Sequence, residues 1–197
     1  MLPTVEVRWF LPGAMPEEVW AWFQEGRLVS AEPLRVDHYL RVPGSDAAGI
    51  KLREGRIELK VRTSSHGAMR FSQGAEGLVE AWRKWMLPLD ETQFAATWYA
   101  QPSRYWTAVQ KERWISALAV GTLPPGRAAN QATPGMLELA RVRALGDTWW
   151  TLGFEVSGME AEAKAFLLES AQRVLEEAGA PRLGLEASWS YPRWLER

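Results

Sequence analysis

Apolar and polar side chains alternate along much of this chain with a period of two residues. The first such stretch, TVEVRWF (4–10), alternates apolar Val5, Val7 and Trp9 with charged Glu6 and Arg8. Successive side chains of a β-strand point to opposite faces, so this period is typical of a strand. The N-terminal stretch is therefore predicted to be a strand with one apolar face and one charged face.

A hairpin with many cations is predicted next. GIKLREG (49–55) and RIELKVR (56–62) both alternate, and Glu54-Gly55 between them suits a tight turn, in which glycine takes the positive φ. The polar face of this hairpin carries Lys51, Arg53, Glu58, Lys60 and Arg62. A chain of net charge −1 thus concentrates positive charge on two neighbouring strands.

Six further stretches are interpreted as strands from the same alternation. They are PLRVDHYLRV (33–42), GLVEAWRKWML (77–87), YWTAVQKERWI (105–115), GMLELARVRAL (135–145), TWWTLGFEVSG (148–158) and RLGLEASWS (182–190). A second hairpin is expected about Gly146-Asp147. For 77–87 a short helix stays open, because four apolar residues also fit helical spacing, but we favour a strand; they are Leu78, Ala81, Trp82 and Trp85.

Two helices and one long loop complete the pattern. PEEVWAWFQEG (16–26) has acidic residues in its first turn and ends at Gly26, as helices often do. The segment 160–179 carries an apolar stripe, which predicts a helix packed on a core; its members are Ala163, Phe166, Leu167, Ala171, Val174, Leu175 and Ala178. Residues 121–135 are rich in Pro and Gly, and are expected to form a loop between strands that is mobile or acts as a lid.

Composition excludes several classes of protein. There are no cysteines, which rules out disulfides, thiolate catalysis and cysteine-bound zinc. The net charge of −1 and pI near 6.2 give no general electrostatic attraction to DNA or membranes, so nucleic acid is an improbable partner. We find no signal peptide and no apolar run of about 20 residues, and we expect a cytoplasmic protein without a membrane partner. His38 and His66 form no zinc-protease motif.

The strands taken together predict an α+β fold: a closed antiparallel β-barrel of about eight strands with flanking helices, in a single domain spanning 1–197. Closure removes the exposed edges that many antiparallel strands would otherwise leave. Each charged face could simply be solvated. If instead the apolar faces pack outward against the helices and the 12 tryptophans, the charged faces enclose a channel suited to a polyanion.

The order of these motifs resembles a known family. An acidic-basic N-terminal strand is followed by DHYLR (37–41), GIKLREGRIELKVR (49–62), VQKERW (109–114), LELARV (137–142), TLGFEV (151–156), a long helix and SYPRWL (190–195). This is similar to the CYTH superfamily, the triphosphate tunnel metalloenzymes that include class IV adenylyl cyclases and thiamine triphosphatases. The resemblance implies an eight-stranded β-tunnel, triphosphate binding by inward Lys and Arg, and Mg²⁺ or Mn²⁺ held by inward Glu.

The resemblance also implies roles for individual residues. Phosphate contacts would come from Arg8, Arg41, Lys51, Arg53, Lys60, Arg62, Lys84, Lys111 and Arg113. Metal ligands would be Glu6, Glu138 and Glu155. The family's Glu-x-Glu-x-Lys motif reads Thr4-Val5-Glu6-Val7-Arg8 here, so its first Glu is replaced by Thr4. In the closing SYPRWL, Tyr191 and Trp194 are interpreted as packing anchors that seat the C-terminus on the barrel.

Three functions are compatible with this reading. The first is metal-dependent hydrolysis of a triphosphate or of inorganic polyphosphate. The second is binding of a phosphorylated or other anionic ligand on the same barrel without catalysis, which the replacement of Glu by Thr4 favours. The third is an RNA-end or nucleotide module, to which the net charge lends little support. Cyclisation and hydrolysis begin by binding the same triphosphate, so the sequence does not separate them.

Overall fold

The computed structural model describes residues 3–89, 105–118 and 135–197. The predicted loop 121–135 lies outside these ranges except for Gly135, which begins a strand. Within them the chain forms eight strands, three α-helices and one short 3-10 helix. The strands are β1 Thr4–Pro12, β2 Val29–Leu40, β3 Ala48–Arg53, β4 Arg56–Ser72, β5 Ala75–Pro88, β6 Trp106–Ala117, β7 Gly135–Ala144 and β8 Asp147–Ser157. The helices are α1 Glu17–Gln24, α2 Glu160–Leu175 and α3 Tyr191–Trp194, and the 3-10 helix is Leu185–Ala187.

The eight strands close into one antiparallel barrel, in the order β1-β5-β4-β3-β2-β6-β7-β8, with β8 paired to β1. This confirms the predicted α+β fold and shows that the ambiguous stretch 77–87 lies in a strand. The predicted Glu54-Gly55 turn is also confirmed. Both residues have positive φ, 45° and 69°, as a type I′ hairpin turn requires.

The apolar faces of the strands point outward, as expected for a charged interior. In β1, Val5, Val7 and Trp9 are at most 1% exposed and belong to a core shared with α2. The helix contributes Leu167 and Ala171 to that core, both fully buried. The main hydrophobic core therefore lies between the barrel wall and α2, which leaves the barrel interior free for polar side chains.

The sequence reading was wrong at three places. RLGLEASWS (182–190) is no ninth strand: it holds the 3-10 helix and two isolated bridges, Trp9–Ser188 and Ala75–Leu183. The barrel is already closed by β1 and β8, so no edge remains for another strand. The second hairpin turns about Leu145-Gly146, one residue earlier than predicted, and α2 ends before Ala178, which is exposed.

The C-terminal helix α3 packs against the barrel, as SYPRWL suggested. Trp194 is 4% exposed and stacks on Phe10 of β1, with ring centroids 4.7 Å apart and an interplanar angle of 13°. The ring of Tyr191 lies parallel to that of Tyr39 in β2. In the described parts of the chain, none of the helices is long and apolar enough to cross a membrane.

Candidate functional site

A charged cavity of about 210 Å³ lies inside the barrel. Water occupies about 30 Å³ per molecule, so the cavity has room for a small ligand. Its charged lining is made of eight cations and four carboxylates: Arg8, Arg35, Lys51, Arg53, Lys60, Lys84, Lys111 and Arg113, with Glu6, Glu58, Glu138 and Glu155. The remaining lining residues are Tyr39, Gly49, Trp82, Met136, Tyr191 and Pro192. Positive groups thus outnumber negative ones on the cavity wall.

Most of the residues singled out from the sequence meet in this cavity. Seven of the nine predicted phosphate-binding residues line it, and so do the three predicted metal ligands. Arg41 does not: it follows the end of β2 and is exposed. Arg62 also lies outside the lining, where its guanidinium contacts Asp46 at 2.8 Å and Glu80 at 2.6 Å. A shift of register in β4 just after Arg62 accompanies this change of surroundings.

Sequence reasoning missed several residues of the site. Arg35 and Tyr39 line the cavity, and Asp37 between them is fully buried. Their common face in PLRVDHYLRV was visible from the alternation, but no role was given to them. Tyr191 was expected only to anchor the C-terminus. It comes from a helix after the barrel, so strand periodicity gives no signal for its position.

Like charges face each other across neighbouring strands of the barrel. Lys60 in β4 lies directly opposite Lys84 in β5, and Arg35 in β2 lies directly opposite Lys111 in β6. Like charges at directly opposed positions of a sheet are destabilising. All four side chains line the cavity, so their repulsion is concentrated there.

Buried Asp37 partly neutralises this charge. Its carboxylate lies 3.3 Å from each of Arg35, Lys51 and Lys111. Burial alone would raise the pKa of Asp37, but these three cations outweigh it and lower the pKa to about 2. One carboxylate therefore stays ionised among three cations, and it leaves them with an excess of positive charge.

Glu58 has the same role at the other side of Lys51. Its carboxylate lies 3.0 Å from Lys51 and 3.1 Å from Lys84, with Arg56 at 3.2 Å and Arg53 at 3.9 Å. Burial raises the pKa of Glu58, but Lys51 and Lys84 lower it by more, to about 2. As at Asp37, a single buried carboxylate is shared by several cations.

Lys111 is the most deeply buried of these cations. Its side chain is 3% exposed, and its Nζ donates a hydrogen bond of 2.6 Å to Tyr39 Oη. The ammonium lies 3.6 Å from the centre of the Tyr191 ring and 4.7 Å from that of Tyr39. Burial lowers the pKa of Lys111 well below its ordinary value, and Asp37 offsets this only in part. An anion in the cavity would favour the charged form of Lys111.

On the wall formed by β1, β8, β7 and β6, Arg8 of β1 and Arg113 of β6 share Glu138 of β7. Arg8 Nη1 donates to Glu138 Oε1 at 2.6 Å and to Thr151 Oγ1 at 3.1 Å, and Arg113 donates to Glu138 Oε2. Burial raises the pKa of Glu138, but Arg8 and Arg113 lower it by more, well below its usual range. Glu138 is therefore an ionised carboxylate that positions two arginines.

The absence of a side chain at position 153 makes room for Arg8. Gly153 in β8 lies directly opposite both Arg8 and Glu138. A Cβ added to Gly153 would lie 2.7 Å from Arg8 Cζ and 2.8 Å from its Nη2, closer than carbon atoms approach one another. The guanidinium of Arg8 thus packs over the backbone of Gly153, which fixes its position on the cavity wall.

The remaining two carboxylates form a pair with a cation between them. Glu6 and Glu155 lie directly opposite each other in β1 and β8. Lys60 Nζ lies 2.5 Å from Glu6 Oε2 and 3.7 Å from Glu155 Oε2. Burial raises the pKa of Glu6, and the charge of Glu155 adds to this, while Lys60 acts against both. For Glu155, the attraction of Lys60 is the larger effect and lowers the pKa.

Glu6 and Glu155 suit a divalent cation whose remaining coordination positions are filled by the bound ligand. Among residues 3–89, 105–118 and 135–197, no three acidic or histidine side chains gather closely enough to hold a metal by themselves. Glu138 is held by Arg8 and Arg113, away from such a role. Mg²⁺ is, however, commonly bound by one or two carboxylates together with substrate phosphates. Glu6 and Glu155 meet that description, and Lys60 now occupies the place between them.

Thr4, which stands where the resembling family has its first Glu, is buried at 8% exposure. Its Oγ1 makes no hydrogen bond to any residue that the structure describes. Thr4 is absent from the cavity lining. Position 4 therefore contributes only a small buried hydroxyl outside the cavity, and the charged lining of β1 begins at Glu6.

Comparison with known proteins gives structural likeness only. No protein-family model matches the chain, and no curated protein is significantly similar in sequence. Among solved structures, a conserved hypothetical protein from Pyrococcus furiosus has 17% identity and a TM-score of 0.47, over 93% of this chain and 99% of that one. A protein from Pyrococcus horikoshii has 14% identity and a TM-score of 0.49, over 98% and 97%. A protein from Bacillus halodurans named as a candidate adenylate cyclase has 13% identity and a TM-score of 0.46, over 93% and 95%.

Proposed function

We propose that this protein binds a triphosphate-containing molecule or inorganic polyphosphate in the barrel cavity. The observation that carries the proposal is the pairing of like charges on the cavity wall. Lys60 faces Lys84 and Arg35 faces Lys111, and although Glu6, Glu58 and Asp37 contact members of these pairs, the eight cations of the lining outnumber its four carboxylates. A compact polyanion between these pairs would turn repulsion into attraction.

The types of residue also suit phosphate. Arginine recognises phosphate oxygens through two parallel hydrogen bonds, while lysine supplies a compact charge. Both occur on several walls of the cavity, with arginines on β1, β2, β3 and β6 and lysines on β3, β4, β5 and β6. Cations on several walls suit a ligand with several adjacent anionic groups better than a single carboxylate or phosphate.

Mg²⁺ or Mn²⁺ is the cofactor we propose for this site. Glu6 and Glu155 would hold it, and the ligand's phosphate oxygens would complete its shell. The metal would supply charge neutralisation and orientation of phosphate groups. Lys60 contacts both carboxylates, so a metal held by Glu6 and Glu155 would replace its ammonium there, and Lys60 would then be available to the phosphate groups.

Binding is tested by titrating the protein with tripolyphosphate in a calorimeter, with and without MgCl₂. We expect a 1:1 complex whose affinity falls as salt is raised, because the contacts are ionic. Lys84→Met removes one cation of an opposed pair and is expected to weaken binding about tenfold, the effect of losing about 1.4 kcal/mol. Lys164→Met, on α2 and outside the cavity, is the control and should bind like the wild type. Absence of binding by the wild type would refute the proposal.

Metal-dependent hydrolysis of the bound phosphate chain is a second candidate function. The observation that favours it is the opposed pair Glu6 and Glu155, for which a binding site for anions alone has no need. Release of phosphate from tripolyphosphate, thiamine triphosphate and ATP, measured with Mg²⁺ and with Mn²⁺, distinguishes the two functions. Tight binding with no metal-dependent release from any of the three would leave binding alone as the function.

A further inference from the structure

We propose that Tyr191, on the C-terminal helix α3, is a ligand-binding residue whose hydroxyl donates a hydrogen bond to an anionic oxygen of the bound molecule. This inference rests on the proposed function, because it requires an anion in the cavity. It assigns a binding role to a segment outside the barrel strands, for which the sequence suggested only packing.

The hydroxyl of Tyr191 is buried without a hydrogen-bond partner among the described residues. Tyr191 lines the cavity, and its Oη is buried but makes no hydrogen bond to any residue in the described ranges. The large majority of buried side-chain polar atoms in proteins do have a partner, so an exception calls for a missing one. A ligand in the cavity that the ring borders would provide it.

The ring of Tyr191 is held in place by its neighbours in the protein itself. It stacks on Tyr39 with centroids 5.3 Å apart and an interplanar angle of 10°, and it meets Phe10 edge-on at 4.9 Å. Lys111 Nζ lies over its face at 3.6 Å. A donor fixed in this way loses little conformational freedom on binding, which is the basis of preorganised recognition.

Helix α3 packs closely against the barrel wall. A Cβ added to Gly49 in β3 would lie 3.1 Å from Pro192 Cγ, so the glycine lets the helix approach the strand. Three residues along the helix from Tyr191, Trp194 stacks on Phe10, which Tyr191 also contacts. These contacts hold Tyr191 against the cavity.

The chemistry of the surroundings selects an anionic acceptor. Arg8 lies 5.4 Å from the centre of the Tyr191 ring, and Lys111 is closer still. Burial raises the pKa of Tyr191 above its ordinary value, and the charges of Glu138 and Asp37 add to this while Arg8 and Arg113 act against it, so the hydroxyl keeps its proton and remains a donor. A neutral donor among cations complements phosphate oxygens without adding charge.

The test compares the wild type with Tyr191→Phe, which removes one oxygen and keeps the ring. We expect its affinity for tripolyphosphate to fall about tenfold, or about 1.4 kcal/mol. Its thermal unfolding temperature should be unchanged or slightly higher, because a buried hydroxyl without a partner is removed. Arg193→Gln alters an exposed side chain on the same helix and should leave affinity unchanged.

The outcomes separate this inference from the proposed function. If the wild type binds tripolyphosphate and Tyr191→Phe binds it equally well, the role of Tyr191 is overturned while the proposed function stands. If the wild type does not bind, the proposed function fails, and the inference with it. A selective loss in Tyr191→Phe, with Arg193→Gln unaffected, supports both.

Discussion

Substitution of Gly153 by alanine is expected to displace Arg8 from its partners. The added Cβ would lie 2.7–3.1 Å from three atoms of the Arg8 guanidinium, which is the end of a flexible side chain and can move away. Moving it breaks the 2.6 Å contact with Glu138 and the 3.1 Å contact with Thr151. Glu138 keeps Arg113 as a partner. The effect should therefore be a partial loss of the ion pair and not an isolated buried charge.

The magnitude follows from these contacts. A hydrogen bond to a charged group contributes about 1.5–3 kcal/mol. Replacing glycine by alanine in a strand returns about 0.5–1 kcal/mol through the entropy of the unfolded chain. Gly153→Ala should thus lower the free energy of unfolding by about 1–2 kcal/mol. Urea unfolding followed by tryptophan fluorescence measures this as a lower midpoint with an unchanged slope.

Making Gly153→Ala in an Arg8→Ala variant shows whether the displacement of Arg8 causes the loss of stability. In Arg8→Ala the atoms that the new Cβ would meet are gone, so Gly153→Ala should become neutral or slightly stabilising. Gly77→Ala is the control: its Cβ would meet Trp9 and Val7 at 2.6–2.7 Å on the apolar side, so it should cost about 1–3 kcal/mol in both backgrounds. Equal destabilisation by Gly153→Ala with and without Arg8 would refute the reasoning.

Two further predictions concern the buried carboxylates. The pKa values of Asp37 and Glu58, both about 2, lie below their ordinary values of 3.8 and 4.5, so their stabilisation is present above pH 4.5 and is lost as pH falls toward 2. The urea midpoint should fall over that range, and less steeply in Glu58→Gln; an unchanged slope would contradict the role given to Glu58. Lys60→Met should lose about 3 kcal/mol at pH 7, because Glu6 and Glu155 then repel each other with no ammonium between them and only the weaker attraction of cations such as Arg8 to offset it. Thermal unfolding of this variant should recover between pH 7 and pH 5 as one carboxyl takes up a proton, and no recovery would argue against the pairing.

The barrel was predictable because apolar and charged residues alternate regularly along its strands. In TVEVRWF and GIKLREGRIELKVR every second residue is apolar, and the outward direction of that face followed from the helices and tryptophans available to cover it. The glycine in Glu54-Gly55 identified the turn by its backbone requirement. RLGLEASWS failed for a topological reason: its alternation resembles that of a strand, but a closed barrel has no edge left to pair with it.

Residues of the candidate site were predictable from the sequence only where charged residues recur at every second position of a strand. Lys51, Lys60 and Lys111 were singled out because cations repeat on the inward face, and they do line the cavity, whereas Arg62 is also a cation of that face of β4 but lies beyond the cavity, where β4 shifts register. Pairing between distant strands, such as Arg8 with Glu138, cannot be read from local periodicity. Tyr191 was missed as a site residue because it enters from outside the barrel.

Because the first strand pairs with the last, the barrel closes late in the synthesis and folding of the chain. The ring of strands is complete only when β1 pairs with β8, which lies about 150 positions later in the chain. Contacts between such distant segments form late and slowly, since a long loop must be closed first. Glu6 and Arg8 therefore meet Glu155 and Glu138 only after almost the whole chain has left the ribosome. In a nascent chain halted before β8, Lys60 and Arg8 would lack the partners that β7 and β8 supply on the cavity wall, so the wall is complete only once the ring has closed.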